Sequence, residues 1–217
     1  MGKIIAIVNQ KGGVGKTTSA VNIASALAIY EKKTLLVDFD PQGNSSSGIG
    51  VEGSSPNIYE ALIGQAKMVE VIKKSPILEK LDIVPSNVDL SGAEIELVKE
   101  YSREFKLKEA LESIKDEYDY IIVDCPPSLG LLTVNTLTAC TDVLIPIQCE
   151  YYALEGVSQL LNTIRLIKKG LNPDLNIMGI LLTMYDRRLN LSLQVAKEVR
   201  RYFQEQAFST IIHRSVK

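Results

Sequence analysis

Near the N-terminus the apolar run Ile4-Ile5-Ala6-Ile7-Val8 ends in Lys11-Gly12-Gly13-Val14-Gly15-Lys16-Thr17-Thr18, and a helical pattern then runs from Thr17 to Tyr30. A strand that empties into a glycine-rich turn and restarts as a helix brings several backbone N–H groups to one point. Glycines allow those groups to turn inward, where a side chain would block an approaching phosphate. The helix opening near Lys16 adds its positive end to the same place. Lys16 then offers an ammonium to the β- and γ-phosphates, and Thr17 offers a hydroxyl to Mg²⁺. The strict GxxxxGK[ST] spacing asks for glycine at position 10, where this chain has Gln10; the variant KGGxGKT brings an additional lysine, Lys11. The segment predicts a site for Mg-ATP.

The rest of the chain repeats the strand-then-helix theme. Further apolar runs are Thr34 to Val37, Leu81 to Val84, Tyr120 to Val123, Asp142 to Ile147, Ile177 to Thr183 and Thr210 to Ile212. Continuous β-branched and Leu-rich runs of this length suit strands covered on both faces. Helical stripes lie between them: Leu107, Leu111 and Ile114; Leu160, Leu161, Ile164 and Ile167; Val195, Val199 and Phe203. The alternation predicts an α/β fold, a doubly wound and mostly parallel β-sheet with helices on both faces. Asn44 to Pro56 is Ser- and Gly-rich without a periodic face. It reads as a loop, either mobile beside the phosphate site or merely solvated, that leads to a small helix near Ile58 to Ile63.

Two strand ends carry carboxylates. Asp124 closes the Ile121-Ile122-Val123 run, where it suits a Mg²⁺-bound water. Asp38 and Asp40 follow the second run; a carboxylate there suits the attacking water, with Asp40 a further water-mediated neighbour of the metal. Turn formation alone would explain one such Asp, but not carboxylates at two strand ends of one sheet.

Length and composition set the outer limits. The 217 residues suffice for one α/β domain, and the formal charge of −2 gives no general affinity for nucleic acid, so any such contact needs a local patch. Cys125, Cys140 and Cys149 lack paired spacing and read as reduced, buried thiols. No signal peptide opens the chain and no run is long enough to span a bilayer, so the expected location is cytoplasmic.

Together the Lys11–Thr18 loop, Asp38-Phe39-Asp40-Pro41-Gln42-Gly43-Asn44, Asp124-Cys125-Pro126-Pro127-Ser128-Leu129-Gly130, Gln148 to Gly156 and Leu181-Leu182-Thr183-Met184 resemble the ParA/MinD family of deviant Walker-A ATPases, and most of all its chromosome-partitioning ParA/Soj type. The resemblance runs from residue 2 to the end and covers a single P-loop ATPase domain, 1–217, that stops short of the further strand and helices usual in the family. It implies a slow, Mg-dependent ATPase. Lys11 matches the signature lysine that crosses to the ATP of a second subunit, so the ATP-bound form is a homodimer. Gly12 matches the glycine at the crowded dimer face, Asp40 the residue that positions the hydrolytic water, and Asp124 the Walker-B carboxylate.

The same resemblance implies non-specific DNA binding by the ATP dimer, nucleoid association, and stimulation of hydrolysis by a ParB/Spo0J-type partner. Arg188 stands at one DNA-binding position and Lys217 at another where relatives carry Arg; Arg187 joins them, while Arg200 and Arg201 suit either a wider patch or a solvated helix face. Affinity from such contacts falls steeply with salt. Met184, His213 and Ser215 stand near the expected adenine position, although relatives have Pro and Asn in place of His213 and Ser215. A MinD-like membrane-cycling ATPase is the alternative reading; it needs a basic amphipathic C-terminal helix, and Phe208 to Lys217 shows none. An iron–sulfur reductase component, a third reading, needs paired cysteines.

Overall fold

The unbroken apolar runs call for cover on both faces, and in the computed structural model, which describes residues 2–150 and 153–215 (of 153–155 the backbone alone), they receive it. The strands are β1 (Lys3–Ile7), β2 (Thr34–Asp38), β3 (Lys73–Lys74), β4 (Leu81–Val84), β5 (Tyr120–Asp124), β6 (Asp142–Gln148), β7 (Asn176–Tyr185) and β8 (Ala207–His213). The helices are α1 (Lys16–Ile29), α2 (Asn44–Ile49), α3 (Ile58–Leu62), α4 (Met68–Val71), α5 (Leu90–Glu96), α6 (Lys106–Glu112), α7 (Leu131–Ala139), α8 (Ala153–Gly170) and α9 (Asn190–Phe203). They build one sheet in the order β3-β4-β2-β5-β1-β6-β7-β8. Every neighbouring pair is parallel except the short β3–β4 edge.

Because successive side chains of a strand point to opposite faces, β1 divides its residues between two cores. Ile5 and Ile7 join Leu36, Ile122 and the small residues Ala20, Ala24 and Ala28 of α1. Ile4 and Ala6 join Leu35, Val37, Ile121 and Val123 on the other face, under Leu107 and Leu111 of α6, Leu132 and Leu137 of α7, and Leu160 and Ile164 of α8. Alanines let α1 lie close to the sheet, so its first turn is carried directly onto the end of β1.

Registers put three strand ends level. Ile7 pairs with Asp124, and Asp38 pairs with Asp124. The loop after β1 and the carboxylates closing β2 and β5 therefore share one edge, the carboxyl edge of the sheet, where open α/β sheets bind ligands.

Two segments differ from the sequence reading. The Ser- and Gly-rich stretch from Asn44 is not a loop at its start but the helix α2, with Ser45, Ser46 and Ile49 buried. Its inward face sets two serines on carboxylates and only Ile49 into the apolar core, so no hydrophobic period marked it. α7 has no stripe either, because Leu132, Thr133, Asn135, Thr136, Leu137, Thr138 and Ala139 are all buried; a helix covered nearly all round shows no amphipathic pattern.

Asn172 fastens the far end of α7, donating from Nδ2 to the carbonyls of Leu137 (2.9 Å) and Cys140 (2.8 Å). Asn172→Ala leaves two buried carbonyls without that donor and is expected to cost about 1–3 kcal/mol in urea unfolding. ATP affinity of the folded protein should stay unchanged, since the residue is remote from the carboxyl edge; a variant as stable as the parent would refute this account of α7.

Candidate nucleotide-binding site

The loop joining β1 to α1 is pinned at three places before any ligand arrives. Asn9 Nδ2 donates to the Pro146 carbonyl at 2.7 Å, and Asn9 Oδ1 accepts the Lys11 amide at 3.0 Å. Gln10 Nε2 donates to the Gly156 carbonyl at 2.8 Å, so the residue that departs from the strict pattern is a fastener onto α8. Thr183 Oγ1, from β7, donates to the Val14 carbonyl at 2.8 Å and holds the loop from that side.

Gly13 (φ +75°) and Gly15 (φ +88°) stand in the left-handed region that favours glycine, and a Cβ added at Gly13 would meet nothing within 4 Å. The arc is open there. A cavity of about 370 Å³ lies over it, lined by Gly12, Gly13, Gly15, Lys16, Thr17, Thr18, Asp40, Gln42, Asn44, Pro127 and Met184. Lys16 is only 6% exposed, and its ammonium donates to the Lys11 carbonyl at 3.0 Å, closing the loop upon itself. Burial lowers the Lys16 pKa, against the opposing pull of Asp124, Cys125 and Asp40.

The carboxylates sit just beneath. Asp38 and Asp124 are fully buried. Ser45 Oγ donates to Asp124 Oδ2 at 2.7 Å. The Ser46 amide and hydroxyl both donate to Asp38 Oδ2 at 2.7 Å. Gly43, preceding α2, has no side chain with which to cap the helix, and Asp38 takes that role from the neighbouring strand. Burial pushes the Asp124 carboxyl up to about 7, the Ser45 and Thr17 hydroxyls hold it down, and Asp38 and Asp40 raise it further. Burial likewise raises Asp38, against the hydrogen bonds of Ser46 and the Asp40 amide.

One buried oxygen, Asp124 Oδ1, has no hydrogen-bond partner. A lone buried carboxylate oxygen beside a hydroxyl-bearing first turn of a helix fits a small, hard cation that keeps its own waters. Thr17 and Asp124 are thus the residues suited to Mg²⁺, with Asp40 at the cavity wall.

The other expected residues separate into distinct places. Lys11 is not on the cavity wall; its ammonium pairs with Glu150 Oε2 at 3.5 Å, both side chains well exposed, and it lines a second, wider hollow with Pro127, Ser128, Leu129, Gly156 and Gln159. Met184 reaches the nucleotide cavity and holds an unusual positive φ of 51°. His213 lies instead edge-on to Tyr185, ring centroids 5.4 Å apart, in a hollow shared with Arg187, Arg188 and Arg214; Ser215 is exposed. Arg188 is exposed, but its guanidinium holds Asp186 through two bonds, Nε–Oδ1 at 2.9 Å and Nη2–Oδ2 at 2.7 Å. Arg187 is exposed beside it, Arg200 donates to the Ser209 carbonyl at 3.0 Å, and Lys217 lies outside the described residues. Cys125, Cys140 and Cys149 are buried, free thiols. Asn9 was not anticipated in the site; Gln42 and Asn44 entered only as part of the Asp38–Asn44 motif, and Ser45 and Ser46 only within a stretch read as a loop either mobile beside the phosphate site or merely solvated, without roles of their own.

Known proteins agree with this geometry. The family described as "AAA domain" matches residues 2–177. The sporulation initiation inhibitor protein Soj of Bacillus subtilis is 57% identical, across 100% of this chain and 86% of that one. The chromosome partitioning protein ParA of Myxococcus xanthus is 56% identical, across 100% of this chain and 77% of its own length. Among solved structures, that of a cobyrinic acid a,c-diamide synthase from Mycobacterium smegmatis with a bound ATP analog and magnesium superposes with a TM-score of 0.93 at 38% identity, covering 100% and 89% of the two chains. A phosphate cradle of this build, at such identity along the whole chain, makes this protein a member of the ParA/MinD family of deviant Walker-A P-loop ATPases, on its Soj/ParA branch.

Proposed function

We propose that the chain is a partitioning ATPase: its 217 residues act as one P-loop domain that binds Mg-ATP, pairs with a second copy around the nucleotide, holds DNA without sequence preference in that state, and lets go after hydrolysis stimulated by a ParB-type protein. The 56% identity to a protein named for chromosome partitioning outweighs the 38% to a synthase. The observation that carries the reading is the division of labour between the two loop lysines. Lys16 is buried against the cradle, whereas Lys11, five residues earlier, lines a different hollow and is paired only loosely with Glu150. A cation that does not serve its own cradle is well placed to serve a neighbour's, as an arginine finger does.

In the reaction this chain contributes position and charge. The loop amides, the end of α1 and Lys16 hold the β- and γ-phosphates. Thr17 and Asp124 would hold Mg²⁺, which when bound would supply neutralising charge to the phosphate oxygens. Asp40, at the cavity wall, orients the attacking water. Lys11 of the second copy offsets the charge that develops on the transferred phosphoryl group. Nothing among the described residues makes a strongly activated nucleophile, in keeping with a slow intrinsic rate.

Lys16→Gln removes a buried charge partner and is expected to weaken ATP by about 2–5 kcal/mol, roughly 30-fold or more, in a nucleotide titration. Asp40→Ala is expected to bind ATP within about threefold of the parent, lose about 100-fold or more in turnover, and accumulate as an ATP-bound dimer on DNA. Monomeric Asp40→Ala in saturating Mg-ATP would sink the sandwich scheme, and sedimentation with anionic vesicles instead of DNA would favour membrane cycling.

The DNA element gives a sharper pair. Arg188 must exchange Asp186 for a phosphate, so Arg188→Glu should weaken ATP-dependent DNA binding by roughly tenfold or more and flatten its salt dependence, while Asp186→Asn should tighten it. Equal binding by all three proteins across a salt series would remove Arg188 from the interface.

A pH series tests Asp124. Its carboxyl is raised to about 7, so its contribution to folding stability is full below the ordinary Asp range and is lost as pH rises through about 7. Metal holding has the opposite sign, because only the carboxylate serves. The Mg²⁺ concentration needed for half-maximal ATP binding should climb below pH 7, by up to about tenfold per unit. A flat Mg²⁺ requirement from pH 8 to pH 6 would exclude Asp124 as the titrating group.

A further inference from the structure

Consecutive serines of α2 spend their hydroxyls on two different carboxylates. Ser45 Oγ donates to Asp124 Oδ2, and Ser46 Oγ donates to Asp38 Oδ2, each at 2.7 Å. Ser46 Oγ also accepts the Ser86 amide at 3.0 Å, so it cannot rotate without breaking two bonds. Serine in a helix ordinarily bonds back to its own preceding turn or to solvent, and Ser47 does so, donating to the Gly43 carbonyl at 3.1 Å. Its two predecessors are different: both are buried, at 0% and 1% exposure, where an alanine would suit the helix better.

The network leads onward to the cavity. Asp38 Oδ1 accepts the Asp40 amide at 3.3 Å, and Asp40 Oδ1 accepts the Gln42 amide at 3.0 Å. Asp40, Gln42 and Asn44, the first residue of α2, all line the nucleotide cavity, whereas Asp38, Ser45 and Ser46 do not. Asp38, Ser45 and Ser46 therefore lie behind the cavity lining, and they hold the segment whose alternate residues form it. On the other side, Ser45 occupies one oxygen of Asp124 and leaves the other without a partner.

We propose that Ser45 and Ser46 are positioning residues for ATP hydrolysis. Ser46 acts through Asp38 to hold the turn that carries Asp40 into the cavity, and Ser45 acts on Asp124 to settle which oxygen is left for the metal side. Since α2 begins with both contacts, the two carboxylate strands and the Asp40 turn move as one body. The proposal rests on the reading that Asp40 serves hydrolysis and Asp124 serves Mg²⁺.

The test uses the full chain with Ser46→Ala, Ser46→Thr and Ser45→Ala. Ser46→Ala should lose about tenfold or more in kcat while its affinity for a non-hydrolysable ATP analogue stays within about threefold. In the nucleotide-free protein its Asp40 and Gln42 amides should exchange faster with solvent, with the Ile122 amide in β5 unchanged. Ser46→Thr, which keeps the hydroxyl, should recover most of the rate and the protection. Ser45→Ala should raise the Mg²⁺ needed for analogue binding and leave the Asp40 amide protected. Unchanged exchange at Asp40 and Gln42 in Ser46→Ala overturns the proposal. So does a parallel fall of kcat, analogue affinity and melting temperature that threonine does not restore. Should wild type fail to hydrolyse ATP, or Asp40→Ala turn over at full rate, the reading of the site fails instead, and the amide exchange of the nucleotide-free protein still decides whether Ser46 positions the turn.

Discussion

Three strands that end level, with a carboxylate on two of them, are the constraint from which the rest of the site follows. The register of β5 against β1 and β2 brings Asp124 and Asp38 side by side under the loop, with no solvent to dilute their charge. Buried carboxylates at such range cannot both be ionised cheaply. The fold meets the difficulty in three ways: the hydroxyls and amide of α2, the ammonium of Lys16, and an Asp124 carboxyl raised to about 7 by burial. α2 is a helix for the same reason. Its glycine-preceded, serine-rich start holds its form because Asp38 supplies the missing cap.

Charge balance explains how such a site can accept a polyanion. Lys16 faces the carboxylates of Asp124 and Asp40, so its charge is partly offset before any nucleotide arrives. Its lowered pKa shows that burial outweighs the attraction of those carboxylates. A divalent cation arriving with the nucleotide alters both sides at once, favouring the ionised Asp124 and offsetting the phosphates. On the proposed function, nucleotide and metal would be coupled through this one carboxylate, to which Ser45 of α2 is hydrogen-bonded.

How much was legible in the sequence follows from the same physics. All strands but the Lys73–Lys74 edge could be read because they are unbroken apolar runs, and the long helices α1, α8 and α9 lie between those runs. Lys16 and Thr17 were legible from the spacing of the glycine turn, Asp40 from its place after a strand, and Met184 only from the family likeness; all four line one cavity. The polar inner shell escaped. Ser45 and Ser46 look like loop residues until their carboxylate partners, 79 and 8 positions away along the chain, are brought beneath them. Asn9 and Thr183, which bind the loop to β6 and β7, have partners 137 and 169 positions distant. Hydrophobic burial leaves a period in the sequence; a hydrogen bond across the sheet leaves none. His213 and Ser215 were placed by likeness alone, and the register of β8 on β7 sets His213 against Tyr185.

The two cations expected to act outside the cradle share one arrangement. Lys11 rests on Glu150, and Arg188 rests on Asp186. Such exposed pairs are worth little, on the order of 0–1 kcal/mol, so either can be given up for a phosphate at small cost. Their geometry nevertheless differs. Lys11 holds Glu150 by a single 3.5 Å contact, whereas Arg188 grips Asp186 bidentately and through its own amide at 3.0 Å. The lysine is therefore the readier of the two to move. On the proposed function that order would suit Lys11 meeting the γ-phosphate of a second copy first and Arg188 meeting DNA afterwards, when two protomers would present their arginines together and neither contact would have to be strong alone.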